Sequence, residues 1–320
     1  MTVVDAHVHV YPEKIALRAA ESVGDFYQYP MFKEGSVSAM LAAVEGSPIT
    51  HHIIYSVATK PSNVESINDF IAAECEKHPN FVGFMAMHQD YPNPEAEIER
   101  AIGLGLRGMK LHPDTQKVNM DDERLMRIYE LIEGRMPLVV HCGDYRSDFS
   151  HPRRMKRILH EFPSLVVDAA HFGGWSVFDL AVEYLENENC FLDMSSSQKF
   201  LGRRRTRELC EIYGADRILF GSDFPMWNPI DEFEAFESLD FPKADFEKMT
   251  WHNAERFIGM DIRWEPLGTR LSRSRCHSKA AAAYPHRRFD AQAIPQHPRG
   301  ESVPHARESC RRGGDPCRPR

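Results

Sequence analysis

Eight short apolar runs, rich in β-branched residues, alternate with segments of helical spacing over the first 262 residues. The runs cover residues 3–10, 50–57, 81–87, 106–111, 138–141, 165–171, 190–195 and 217–222. Helical periods cover 64–77, 94–102, 121–132, 152–161, 177–186 and 206–213, and 246–258 closes the series. Pro94, Pro152 and the pair Asp121-Asp122 suit helix starts, whereas Gly134 and Gly214 suit helix ends. Strand–helix alternation implies parallel pairing with right-handed crossovers. Eight such units in about 260 residues match a (β/α)₈ TIM barrel. An open doubly wound sheet is the competing α/β architecture, but no Gly-x-Gly-x-x-Gly turn follows the first run. Residues 11–47 form a long first connection containing Phe26, Tyr27, Tyr29 and Phe32. It is long for a loop plus one helix and is read as covering the site as a lid, with a subunit contact as the competing role.

The charge is unevenly divided. Residues 263–320 carry 13 Lys and Arg against 5 Asp and Glu, a net of +8, whereas residues 1–262 carry 26 against 42, a net of −16. Twelve of the tail cations are arginine, and the tail has seven prolines and no sustained apolar period. Such a segment buries too little apolar surface to offset its ordering entropy, so disorder is predicted. The expected organisation is a 1–262 barrel followed by a 263–320 basic Arg/Pro-rich tail. A basic tail can attract nucleic acid, but the arginine bias with scattered His, Pro and Cys reads better as an incidental extension. Truncation after Ile262 is expected to leave the melting temperature and turnover unchanged; a large loss of activity would reject this reading. The seven cysteines contain no Cys-x-x-Cys, which fits a reducing cytoplasm. No apolar run approaches the roughly 20 residues of a membrane span, and no secretory signal is visible at the N-terminus.

Chemistry-bearing residues gather at the ends of the runs. The first ends Asp5-Ala6-His7-Val8-His9, and residues two apart on a strand share a face. His7 and His9 are therefore expected to point together into the barrel, suited to gripping a metal ion. His141, His171 and Asp223 end the fifth, sixth and eighth runs, each before a Gly or Pro break. In a parallel barrel the carboxyl ends of the strands carry the active site. A charged Asp223 there needs a cation or hydrogen bonds to offset its desolvation.

Five segments carry a resemblance: Asp5-Ala6-His7-Val8-His9, Met109-Lys110-Leu111-His112-Pro113, Val140-His141-Cys142-Gly143-Asp144, Ala170-His171-Phe172-Gly173-Gly174 and Leu219-Phe220-Gly221-Ser222-Asp223-Phe224-Pro225. With Asn253-Ala254-Glu255-Arg256-Phe257 they resemble the amidohydrolase superfamily, in particular the branch that includes aminocarboxymuconate-semialdehyde decarboxylase-like enzymes. The resemblance spans roughly residues 3–260 and excludes the tail. It implies that His7, His9, His141 and Asp223 bind a divalent metal, with His171 an acid/base or electrostatic group. Zn²⁺ suits imidazole and carboxylate ligands with an open position; Mn²⁺ is the alternative. A lysine at the position of Lys110 bridges two metals when carboxylated in binuclear relatives, and supports substrate or structure in the mononuclear branch. One metal is favoured.

The resemblance implies a metal-dependent hydrolase directing activated water at a small amide, ester or lactone. Its alternative is non-oxidative decarboxylation of a small aromatic or unsaturated acid. A basic-tailed binding protein with an inactive barrel is disfavoured, because every expected ligand position is filled. Arg146 is a candidate partner for a substrate carboxylate, and Trp227 a candidate pocket wall. Trp175 is expected to cap a helix start. His112 is expected to face away from Lys110 if the fourth strand continues, and Cys142 to alternate away from His141. A small-molecule substrate is the expected partner, with self-association into a homo-oligomer a further expectation.

Overall fold

The computed structural model describes residues 2–262. The tail, with its expected disorder, lies outside the described residues. Eight parallel strands follow chain order: β1 (Val3–His9), β2 (Ile49–Tyr55), β3 (Phe81–Ala86), β4 (Gly108–Leu111), β5 (Leu138–Val140), β6 (Val167–Ala169), β7 (Leu192–Asp193) and β8 (Ile218–Leu219). β1 to β6 pair successively, and β7 pairs with β8. Asp168 bridges to Phe191 between β6 and β7, and Val8 to Phe224 between β1 and the chain just past β8. Backbone bonds from Ala6 N to Phe220 O (2.9 Å) and from Asp223 N to His7 O (2.8 Å) strengthen that last seam. The sheet is thus closed, and the fold is the expected (β/α)₈ TIM barrel.

Helices connect the strands. The long first connection holds two helices, α1 (Glu13–Tyr27) and α2 (Val37–Ala43), in keeping with its length. Ser36 starts α2 by accepting the Ala39 N–H at 3.1 Å. Then follow α3 (Val64–Lys77), α4 (Pro94–Gly103), α5 (Pro113–Gln116), α6 (Glu123–Ile132), α7 (Pro152–Glu161), α8 (Phe178–Leu185), α9 (Gln198–Tyr213) and α10 (Pro229–Glu237). Pro94 and Pro152 occupy first turns as expected, and Asp122 caps α6. α9 begins earlier than the marked period, with a break at Gly202 (φ 67°). Periodicity did not mark α10, although its start is well signalled. Asn228 accepts the Ile230 N–H at 3.1 Å, followed by Pro229, Asp231 and Glu232 in the first turn. The closing segment is not one helix. α11 (Lys243–Glu247) and α12 (Asn253–Ile258) flank a π-helical turn, Lys248–His252, and Met249 O within that turn accepts from Phe220 N at 2.9 Å.

Neighbouring residues on a strand face opposite ways. Ile54 joins the helix residues Ile71 and Ile98 in the outer core. Ile53 and Tyr55 instead join Val4, Phe84 and Val139 inside the barrel. Phe257 of α12 plugs that interior, its ring 5.8 Å from Phe84 and 5.6 Å from Phe191. With one end filled, the carboxyl ends of the strands remain as the mouth. β6, β7 and β8 are shorter than their apolar runs because the chain leaves the extended form to turn side chains into that mouth. His171 (φ 61°), Ser196 (φ 50°) and Asp223 (φ 59°) all take the left-handed conformation. Among the described residues no helix is long and apolar enough to cross a membrane.

Candidate metal centre

The mouth brings His7, His9, Lys110, His141, His171 and Asp223 together. His7 and His9 project from β1 with ring centroids 5.2 Å apart. Their Nε2 atoms lie 3.5 and 3.6 Å from Asp223 Oδ1. Asp223 Oδ2 is taken by the Ser196 hydroxyl, which in turn accepts the Trp227 indole N–H at 2.7 Å. Trp227 therefore stands behind Asp223 and fixes its rotamer through Ser196. Lys110 Nζ lies 3.2 Å from His7 Nε2 and 4.8 Å over the Tyr55 ring. Burial pulls its pKa down to about 8 against the attraction of Asp193, Asp223 and Asp168.

Hydrogen bonds set the tautomers. His7 Nδ1 donates to Asp193 Oδ2 at 2.8 Å, leaving the Nε2 lone pair facing Asp223. His171 Nδ1 donates to Ser195 O at 2.9 Å, leaving an Nε2 lone pair. His141 Nε2 donates to Gly143 O at 3.0 Å, leaving an Nδ1 lone pair. The free nitrogens of His141 and His171 then face each other at 3.0 Å. Neutral rings in these tautomers cannot bond across that gap, which leaves the His141 Nδ1 lone pair for a cation and the His171 Nε2 lone pair for a proton. Burial keeps the rings neutral. It lowers the pKa values of His7 and His171 to about 4, helped by Lys110 for His7 and by His7 for His171, and it pushes those of His9 and His141 well below the usual value. Burial also raises the Asp223 pKa. Ligand atoms of His7, His171 and Asp223 all lie within 4.8 Å of one another. Nitrogen lone pairs converging on a carboxylate fit a divalent transition metal.

The structure adds residues that strand alternation missed. β4 ends at Leu111, so His112 does not face away. Its ring turns at the start of α5 and stacks on His141 at 4.0 Å with planes 7° apart. Trp175 does not cap α8, which begins at Phe178. Its ring instead lies 5.0 Å from Tyr27 and 6.4 Å from His141. Asp193 carries no strand-end signal because it sits inside an apolar run, although a carboxylate there needs a buried partner. It receives bonds from His7, from the Ser195 hydroxyl and from Ser195 N at 2.9 Å. Arg146 is internally engaged: Nη2 meets Asp144 at 2.6 Å, and Nη1 meets Phe26 O at 2.6 Å. It clamps the end of α1 over the mouth. Gly143 (φ 82°) lets the loop after β5 touch the loop after β6, since a Cβ there would lie 2.5 Å from Gly174 C. Cys142 is buried, and burial holds its thiol protonated.

A model of the family described as amidohydrolase matches residues 4–260. The chain belongs to the amidohydrolase family. As a member it is an enzyme, and the family match covers nearly all of the described barrel. Solved structures similar to this amidohydrolase include an uncharacterised TIM-barrel protein from Bordetella bronchiseptica, at 22% identity and TM-score 0.64 over 81% of this chain and 99% of that one. A dihydroxybenzoic acid decarboxylase from Polaromonas, with bound manganese and 2-nitroresorcinol, is 19% identical at TM-score 0.64 over 81% of this chain and 97% of that one. A 5-carboxyvanillate decarboxylase from Novosphingobium aromaticivorans, with manganese, is 17% identical at TM-score 0.63 over 81% and 96% respectively. At these identities the likeness concerns the fold.

Asp193 makes a prediction here. A carboxylate behind a metal-binding His raises its basicity and fixes its ring, and removing one costs roughly 10–100-fold in metal affinity. Asp193→Asn is expected to weaken metal binding by that factor, read by competition with a chelating dye.

Proposed function

We propose that this amidohydrolase is a hydrolase of small amides, esters or lactones, using one divalent metal held by His7, His9, His141 and Asp223. The observation that carries the reading is the approach of His7 Nε2 and His9 Nε2 to Asp223 Oδ1, at 3.5 and 3.6 Å, with the His7 lone pair oriented by Asp193. A bound divalent ion supplies Lewis acidity and a water acidified toward neutral pH. Asp223 offers Oδ1 to take a proton, because Ser196 occupies Oδ2. His171 is anchored through Nδ1, so Nε2 is the atom that receives a proton and returns it to the leaving group. Lys110 places a donor beside His7, where it can stabilise developing negative charge. Trp227 acts through Ser196 on Asp223. Arg146 acts by holding α1, since Asp144 already neutralises its guanidinium.

Three nitrogen ligands with one carboxylate favour zinc; manganese in two similar structures makes it the competing metal. The free cysteines 75, 142, 190 and 210 support a cytoplasmic location. We take the partner to be a small molecule rather than nucleic acid or a membrane, and the tail to be dispensable to the 1–262 barrel.

Decarboxylation is the second reading. It is favoured by Tyr27, Trp175 and His112 around the mouth, which suit a planar acid, and by the decarboxylases among the similar structures. Asp223, its pKa raised by burial, can carry a proton to a carbon atom. Zinc- and manganese-loaded protein should be incubated with lactones, esters, amides and 2,6-dihydroxybenzoate, with CO₂ and ring-opened acid measured together. Water addition without CO₂ supports hydrolysis; CO₂ without water addition selects the second reading. Elemental analysis finding two metals per active chain would reject the single-metal assignment.

A further inference from the structure

Tyr27 is the last residue of α1 and reaches the centre from outside the barrel. Its hydroxyl lies 2.7 Å from His112 Nε2. The direction of that bond follows from the other side of the ring. Thr115 N, at the start of α5, donates to His112 Nδ1 at 3.5 Å. Nδ1 accepts, so the ring proton lies on Nε2 and is donated to the Tyr27 oxygen. The Tyr27 O–H proton is therefore unspent, and among the described residues His112 is the hydroxyl's one hydrogen-bond partner.

The ring is held tightly. The Arg146 guanidinium stacks 5.2 Å from it, Trp175 lies at 5.0 Å and Phe26 at 4.8 Å. On the barrel side it meets His112 and His141, each 6.2 Å away. Arg146 also binds the neighbouring Phe26 carbonyl, so the end of α1 is fixed from two directions. Burial and the nearby carboxylates Asp223, Asp114 and Asp144 keep the phenol protonated.

We propose that Tyr27 is a substrate-binding residue whose hydroxyl donates to an oxygen of the substrate, on the His112 side of the centre, with His112 and Arg146 as its positioning residues. The ligand class is a small planar molecule carrying a carbonyl, carboxylate or phenolate oxygen beyond the atoms held at the metal. The inference rests on the proposed metal centre and adds a contact that the barrel strands themselves do not provide.

The test uses the full-length zinc-loaded protein and 4-nitrocatechol, a planar oxygen ligand whose visible spectrum changes on binding. Tyr27→Phe keeps the ring and removes only the donor. The expected result is roughly tenfold weaker 4-nitrocatechol binding with zinc content and melting temperature unchanged, since one hydrogen bond to a charged oxygen is worth at least that factor. Equal binding by Tyr27→Phe overturns the proposal. A Tyr27→Phe protein that loses zinc or stability also overturns it, because the hydroxyl would then be structural. A wild-type protein that binds no zinc rejects the metal-centre reading, and this inference with it; one that binds zinc but not 4-nitrocatechol rejects only this inference.

Discussion

Replacing His7 or Asp223 by alanine is expected to abolish stoichiometric metal binding and lower turnover by at least about 10³-fold, since Lewis-acid stabilisation is worth several kcal/mol at about 1.4 kcal/mol per tenfold. His7 contributes one lone pair whose direction Asp193 fixes, and Asp223 contributes the carboxylate that faces both His7 and His9. The two variants fail differently as proteins. His7→Ala leaves Asp193 Oδ2 buried without its donor, a cost of about 1–3 kcal/mol or more for a charged group. Asp223→Ala leaves the Ser196 hydroxyl only the Met226 sulfur, at 3.5 Å, as acceptor but removes a buried charge, so it should be the more stable variant. Metal content by elemental analysis and melting temperature must therefore be read together. A folded Asp223→Ala protein with full metal and full turnover would overturn the site.

The second large effect concerns His171. His171→Asn should retain metal within a few-fold yet lose about 10²–10⁴ in turnover, the usual worth of positioned acid–base catalysis. Asparagine can still donate to Ser195 O, but it offers no basic nitrogen facing His141. Loss of metal in parallel with rate would instead make His171 a ligand. That outcome would shift the assignment toward a centre using all four histidines, or toward two metals with Lys110 between them. Metal counting on the same sample decides which.

Much of the barrel is legible because burying both faces of a parallel strand forces continuous apolar runs; β1, β3, β4 and β5 fall inside theirs, and β2 begins one residue before its run. The ends of β6, β7 and β8 were not legible. There the chain takes left-handed turns at His171, Ser196 and Asp223, and three-dimensional demands of the mouth override local extended propensity. His7, His9, His141, His171 and Asp223 were readable as a group, since a polar residue ending an apolar run needs a reason to be there. His112 was misread because alternation was carried one residue beyond the strand, past the point where Pro113 starts α5. Asp193 gives no such signal because it sits inside an apolar run, and Tyr27 is legible only as part of a covering connection whose path periodicity cannot trace.

The sequence by itself determined the eightfold strand–helix order, the ligand-type residues at the strand ends and the sharp change of charge after Ile262. These are local properties: period, residue type and position along the chain. Only the tertiary structure decided which nitrogen of His7, His141 and His171 is free, because that depends on the acceptors Asp193, Gly143 O and Ser195 O, which the closed barrel places beside them. It also decided that Arg146 binds Asp144 and Phe26, and that Trp227 works through Ser196. Hydrogen-bond direction and side-chain partnership depend on closing the barrel, which brings β1 against β8 across more than 200 residues of chain.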